Sequence, residues 1–403
     1  MLKRVEKQNL KDLKDACVLA KDAKFPSPFD SKLEFSCSAR GPWNIVHIGM
    51  LIPQAHEVYV CAQSCLRGVV LTAAEMNAID RFSNIIVREN NILEGDTEDL
   101  IVEGIGCILE KLPYTPRAIL VYTSCIHHFI GCDLNLVYKR LREKYPNVEF
   151  TDCYMNPIMR KSGLTPDQLM RRQLYSLLDK QDLDLKSVNI IGNNLKTDDD
   201  SELVKIIKEN GFTLREVPRT KTYDEYKEMG KAFLNITYNP AAIEAGRYLE
   251  KKLGQKHLYL PLSYGFDEIE KTLDTLCENL GIEKIDFSSN KQQALDALKK
   301  AKEVIGDTPI EIDYTLTLRP ASLARLLLEN GFNVVAIYED CFASEEEEDF
   351  KWIQENYPNL KIYATVHVKM RFVNRKRDEK LLALGQKAAY FTGSNNFVNI
   401  VEG

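Results

Sequence analysis

AILVYTSCIHHFIGCD, residues 118–133, sets the fold class. Its first part is a short apolar, β-branched run closed by Thr-Ser, which reads as a strand buried on both faces. From Leu134 to Lys144 the chain continues as LNLVYKRLREK, with apolar residues at helical spacing. The same strand-then-helix unit recurs down the chain. VEFTD (148–152) precedes PDQLMRRQLYSLLD (166–179), VNIIGN (188–193) precedes DSELVKIIKENG, and FLNITYN (233–239) precedes PAAIEAGRYLEKKLG. HLYLPLS (257–263) leads into DEIEKTLDTLCENLG, and IEIDYTL (310–316) into RPASLARLLLENG. NVVAIYED (333–340) leads into a helix through Trp352, and KIYATV (361–366) runs towards LLALGQKAAY. Strands alternating with helices of about 10 to 15 residues predict parallel sheets covered on both faces. Gly211, Gly254, Gly281 and Gly331 stand where helix C-termini need a left-handed residue. The expected fold class is α/β: three Rossmann-like doubly wound units with parallel sheets, over residues 1–185, 186–305 and 306–403.

The 403 residues suit two or three domains. An apolar share of 44% and a charged share of 28% are those of an ordinary globular chain. With 53 basic and 59 acidic residues the net charge is −6, which argues against a chain built to coat nucleic acid. No apolar run approaches the roughly 18 to 20 residues that span a bilayer. The opening MLKRVEKQNLKDLKD is a charged helix start without a signal-peptide core, so the cytoplasm is the expected location. Ten cysteines lie at 17, 37, 61, 65, 107, 125, 132, 153, 277 and 341, eight of them within the first 153 residues. In a reducing compartment such a cluster favours metal or redox chemistry over disulfides, with small buried core thiols as the rival reading.

In doubly wound sheets, ligands sit beyond the carboxyl ends of the strands. Cys125 directly follows AILVYTS, Cys153 directly follows VEFTD, and Asn239, Ser263, Arg319 and Cys341 hold equivalent places later. No Gly-x-Gly-x-x-Gly fingerprint or P-loop is present, so a bound nucleotide is unsupported. Cys37 sits in the loop FSCSARGPW. Cys61 sits in AHEVYVCAQSC ahead of the helix-like CLRGVVLTAAEMNAIDRF. Together with Cys125, these thiols come from three loops at one end of a sheet and can hold a soft metal or an iron–sulfur cluster. Spacings of 24 and 64 residues hide such a set from any short pattern.

The first 160 residues resemble the nitrogenase component 1 family: molybdenum–iron protein subunits, their cofactor-assembly scaffolds, and the protochlorophyllide and nickel-tetrapyrrole reductases. In that family three cysteines in these loops ligate a cluster at a subunit interface. Cys37, five residues ahead of Pro42, resembles the first, and Cys61, five residues after His56, matches a His-x4-Cys pattern at the second. Cys125 in Thr-Ser-Cys, with Gly-Cys-Asp following, resembles the third. Leu318-Arg319-Pro320 resembles a Gly-Leu-Arg-Pro loop of the third domain, and FLNITYNPAAIEAGRYLEKKLG extends the match over most of the chain.

The chain also departs from the family. Members that hold the molybdenum-type cofactor use a cysteine where Asn239 stands, and a histidine near the end of the third domain where this chain has none. The glycines expected ahead of Leu-Arg-Pro are replaced by Tyr314, Thr315, Leu316 and Thr317. No molybdenum-type cofactor is therefore expected, nor dinitrogen reduction. A [4Fe–4S] cluster takes four ligands. The resemblance implies that a partner chain supplies the fourth, and a symmetric homodimer bringing three cysteines from each side would instead hold a larger, P-cluster-like cluster. Cys65 is a local rival for the fourth place, facing the cluster together with Cys61 only if a helix begins at Cys61.

His127 and His128 follow Cys125 directly and are weak candidates for hydrogen bonding to a cluster sulfur or relaying protons; a plain surface or core role is the rival. His56 reads as a loop-shaping residue, and Cys132 and Cys153 as neighbours of the site rather than ligands. Arg319, at a helix start, is a candidate contact for an anionic substrate, with a salt bridge between domains as the rival. SEEEED (344–349) reads as a favourable acidic first turn, and KMRFVNRKRDEK (369–380) as an exposed basic stretch.

The resemblance thus implies a component 1-like oxidoreductase subunit with an interfacial iron–sulfur cluster on Cys37, Cys61 and Cys125. It would pair with a homologous subunit, and an ATP-dependent iron protein would supply low-potential electrons. A cofactor scaffold or carrier, and a thiol or metal sensor on the same fold, are the alternatives.

Overall fold

The computed structural model describes residue 13 and residues 15–35, 45–155, 164–373 and 380–398. Cys37, most of the charged N-terminus and positions 374–379 of the basic stretch lie outside the described residues. The chain divides into two compact units, 41–260 on one hand and 1–40 with 261–402 on the other. The first strand, β1 (Cys17–Leu19), belongs to the second unit.

In the unit of 41–260, β2 (Ala55–Cys61), β3 (Phe82–Ile86), β4 (Ala118–Thr123) and β5 (Glu149–Tyr154) form a parallel sheet in the order β3-β2-β4-β5. Its helices are α1 (Ile45–Gly49), α2 (Leu66–Glu75), α3 (Glu89–Glu94), α4 (Thr97–Lys111), α5 (Cys125–Phe129), α6 (Leu134–Lys144) and α7 (Pro166–Gln173). Successive side chains of a strand point to opposite faces. Val58, Val60, Ile119 and Val121 therefore meet Ile101 and Ile105 of α4 and Leu141 of α6 in one core. Tyr59, Cys61, Leu120 and Tyr122 enter another. Burial on both faces explains why β4 reads as an unbroken apolar run. A second parallel sheet, β7-β6-β8-β9, follows from β6 (Asp184–Ile190), β7 (Thr213–Arg215), β8 (Ala232–Thr237) and β9 (Lys256–Tyr259), with α8 (Glu202–Glu209), α9 (Tyr223–Lys227) and α10 (Ile243–Leu253). One apolar core runs from Ile45 to Leu253, so the expected boundary at 185 falls within a shared core.

The other unit holds α11 (Phe266–Leu280), α12 (Ser288–Ile305), α13 (Pro320–Glu329), α14 (Glu347–Asn356) and α15 (Gln386–Thr392). Its strands β10 (Ile310–Asp313), β11 (Val334–Tyr338), β12 (Lys361–Tyr363), β13 (Leu382–Leu384) and β14 (Phe397–Val398) are parallel, and β1 pairs antiparallel with β12. Two details correct the sequence reading. Residues 17–19, within the bounds expected for the first unit, form a strand that the sequence reading did not anticipate and that completes the last sheet. Helix α12, expected in the middle unit, packs Leu298, Ala301 and Ile305 on the core of the last sheet. No helix among the described residues is long and apolar enough to cross a membrane.

Candidate functional site

Strand order fixes where a ligand can sit. From β2 the chain crosses to β3 on one side, then returns to place β4 and β5 on the other. The connections after β2 and β4 therefore diverge, and a crevice opens between their carboxyl ends. Cys61 ends β2, the 3-10 turn Gln63–Cys65 follows, and Cys125 opens α5 just after β4 and Ser124.

The crevice is a cavity of 410 Å³ lined by Ile45, Val46, Cys65, Gly68, Val69, Thr72, Ser124, Cys125 and Met155. Apart from two thiols and two hydroxyls, its wall offers carbon, the methionine sulfur and backbone. Cys65 is exposed, Cys125 is half-buried and Cys61 is buried. Burial, and secondarily the neighbouring Cys65, push the Cys61 thiol up to about 12, so without a metal it stays protonated. The condition under which Cys65 would face the cluster from the same helix as Cys61 is not met: Cys61 is in a strand and α2 begins only at Leu66. Among the described residues, no three His, Cys, Asp or Glu side chains converge on one metal-ion position. Ligands of different irons in a cluster need not do so.

A second cavity, of 570 Å³, shares the Ser124 wall and is lined also by His127, His128, Cys132, Tyr154 and Arg172. His127 is 2% exposed, and burial holds its imidazole below its ordinary pKa. Its Nδ1 lies 3.3 Å from both the Ser124 backbone N–H and the Ser124 carbonyl, while its Nε2 and the Ser124 Oγ have no partner among the described residues. His128 is exposed. Cys132, pushed up to about 11 mainly by burial, lines this second cavity, and Cys153 is buried in the sheet.

His56 lies on β2. Its Nδ1 meets the Tyr114 hydroxyl at 2.9 Å and its Nε2 meets Ser83 Oγ at 2.8 Å. Because Tyr114 donates onward to the Asp80 carbonyl, Nδ1 carries the proton and Nε2 accepts from Ser83. Burial, with Arg81 nearby, lowers this imidazole to about 4 from 6.5. The folded state thus prefers the neutral ring, so its contribution is complete above about pH 6.5 and lost as pH falls through about 4. Relative to His56→Gln, the wild-type unfolding free energy should fall by roughly 3 kcal/mol between pH 7 and pH 4. Urea unfolding across that range, with parallel slopes in both proteins, would refute this assignment.

Arg319 does not face a ligand. Its side chain is 4% exposed. Nε donates to Ser322 Oγ at 2.9 Å, Nη1 to the Leu262 carbonyl at 2.7 Å and Glu268 Oε1 at 2.9 Å, and Nη2 to Glu268, Asp349 and the Glu345 carbonyl. All these partners lie in its own unit. The helix N-terminus expected to help bind an anion is already filled. Glu346 Oε1 accepts from the Ala321 and Ser322 backbone N–H groups at 2.7 and 3.4 Å. The run read as an acidic first turn supplies Glu347, Glu348 and Asp349 to the start of α14, while Glu346 is fully buried, accepts from the Ala343 N–H at 3.0 Å and caps α13 as well. Burial and Glu339 raise its carboxyl to about 8. Asn239 Oδ1 accepts from the Ala241 N–H at 2.9 Å, so the residue at the cofactor-cysteine position caps its own turn.

Doubly wound parallel sheets with thiols at a strand-crossing crevice define a class of α/β proteins suited to redox or metal chemistry. The family model for nitrogenase component 1 type oxidoreductases matches residues 45–395, and the chain belongs to that family. A solved structure described as "Nitrogenase Cp1 at pH 6.5" superposes with a TM-score of 0.67 at 14% identity, covering 92% of this chain and 87% of that one. A second, "Nitrogenase Cp1 at pH 5", gives 0.55 at 14% identity, with 94% and 87% covered. At this identity the likeness is one of fold. No curated protein matches the chain.

Proposed function

We propose that the chain is a nitrogenase-like component 1 subunit that holds an iron–sulfur cluster through Cys37, Cys61 and Cys125. Electrons come from an ATP-dependent iron protein, and the substrate reduced is not dinitrogen. The observation that carries this reading is the apolar crevice between β2 and β4, which gathers Cys125 and Cys65 beside the buried end of β2. The donor set fits such a group: among the described residues the wall holds soft thiols and no competing carboxylate. When bound there, a cluster supplies one-electron transfer.

The chain's own residues do the rest. Ile45, Val46, Val69 and Met155 give the crevice an apolar wall, and the lower dielectric beside it strengthens electrostatic interactions there. Phe129 and Ile130, exposed next to Cys125, offer an apolar face for an electron-donating protein. The fourth ligand comes from a homologous subunit or from Cys65, which lines the crevice although it shares no helix with Cys61.

The test is iron and acid-labile sulfide per chain, purified without oxygen, for wild type, Cys125→Ala and Cys65→Ala. About two to four irons per chain are expected in wild type and lost in Cys125→Ala. Loss in Cys65→Ala as well would assign the fourth ligand to this chain. Iron near zero in every preparation, including one co-expressed with a component 1-like partner, would sink the cluster reading.

A further inference from the structure

We infer that the 570 Å³ cavity between the α5–α6 connection and α7 binds a small anion presenting carboxylate or phosphate oxygens, held by Arg172, His127 and Ser124. The inference stands on the polarity of that wall and does not require a cluster in the neighbouring crevice. Three features carry it.

Arg172 lines the cavity half-buried. Its one hydrogen bond among the described residues runs from Nε to Gln173 Oε1 at 3.4 Å, and it makes no ion pair with any of them. A guanidinium offers five N–H donors in a planar fork that matches two oxygens of one anion. Here the fork's terminal nitrogens have no acceptor among the described residues. The contrast with Arg319 and Arg171 is direct, since each of those is bonded to a carboxylate.

His127 adds a second donor. Its Nδ1 lies 3.3 Å from both the Ser124 backbone N–H and the Ser124 carbonyl, so the backbone serves either tautomer. Its Nε2 is buried in the cavity wall without a partner among the described residues. A buried polar atom left unsatisfied is costly, and with the ring proton on Nε2 a ligand oxygen satisfies it.

Ser124 Oγ, also buried and unpartnered, is a third group able to donate. The nearest oxygen-rich side chain is already engaged: the Tyr154 hydroxyl donates to Asp152, which also accepts from Gln173. A wall rich in unused donors selects a ligand rich in acceptors. Carboxylates and phosphates fit, whereas cations and apolar molecules leave the donors unpaired.

The test is calorimetric titration of the purified chain with succinate and, separately, inorganic phosphate, against sodium chloride at matched ionic strength. Saturable binding of at least one anion is expected, weakened at least about tenfold in Arg172→Gln, a change of about 1.4 kcal/mol. Arg140→Gln, which breaks the surface pair with Asp99, should bind as wild type does. The preferred anion distinguishes carboxylate from phosphate chemistry. No saturable heat with either anion, or equal weakening in both variants, would overturn the inference. Should Arg172→Gln fail to fold, phenylglyoxal modification of Arg172 in the wild-type chain decides: the bound anion must slow it. Iron assayed on the same samples keeps a failed anion site separate from a failed cluster site.

Discussion

Replacing Arg319 by alanine is expected to lower the unfolding free energy by about 3–5 kcal/mol, the penalty for stripping one partner from a buried charge network. The guanidinium connects α11, α13 and α14. It bonds Glu268 on α11, Ser322 on α13, Asp349 on α14, and two backbone carbonyls at positions 262 and 345. Alanine would leave two carboxylates and two carbonyls without that donor. Glu268 is 40% exposed and can turn to water, whereas Asp349 is 16% exposed and keeps only Ser322 and Arg325. Arg319→Lys should lose less but still fall well short of wild type, because an ammonium is a point charge and cannot reproduce the planar fork. Lys351→Ala is the contrast: Lys351 and Glu347 are 2.6 Å apart on an exposed helix face, where solvent screens the pair and its loss changes stability little. Urea unfolding at constant m-value measures all three. An Arg319→Ala loss as small as that of Lys351→Ala would mean that the carboxylates relax into solvent and the network contributes little.

The Arg319 network also shows where sequence reading stops. The βα unit at 118–144 is legible because β4 is buried on both faces and α6 has an amphipathic stripe, and α6 spans the residues its pattern predicts. Gly211, Gly254, Gly281 and Gly331 all have positive φ at helix ends. Strand β2 escapes the same reading because AHEVYVC carries His56 and Glu57 inside an apolar pattern, yet all seven residues are buried. Glu57 is tolerated because burial holds its carboxyl well above the usual range, hence neutral, beside the stacked rings of Tyr59 and Tyr122, 4.2 Å apart. Strand β13 escapes because Leu-Ala-Leu is three residues long and abuts a helix, so the segment reads as all helix. The second role of Glu346, beyond the first turn of its own helix, is hidden in a run of acids because the other N-terminus it caps lies 25 residues earlier in the chain. The thiol set lies between these cases. The strand-end position of Cys125 is visible locally. The place of Cys65 in the crevice depends on a 3-10 turn that no periodicity announces.

The other large expected effect is at a glycine. Gly385→Ala should cost at least about 3 kcal/mol, from backbone strain and a displaced buried carboxylate together. Gly385 precedes α15 with φ of 113° and ψ of 161°, a region open in practice only to glycine. A methyl group there would lie 2.3 to 2.5 Å from the three carboxylate atoms of Asp313. That carboxylate cannot easily move. Asp313 is fully buried, and it accepts from the Thr315 N–H at 2.6 Å, the Thr315 hydroxyl at 2.5 Å and the Ala388 N–H at 2.6 Å. It thereby joins the end of β10 to the first turn of α15, across the point where the last sheet reverses its strand order. Gly211→Ala separates the two causes. Gly211 also has positive φ, 75°, but an added methyl would meet nothing within 4 Å, so only the left-handed strain of about 1–2 kcal/mol applies. Thermal or urea unfolding of both variants should show Gly385→Ala clearly the more damaging. Equal losses would mean that the Asp313 carboxylate yields its three donors freely, and that strain alone selects glycine at the crossover of the last sheet.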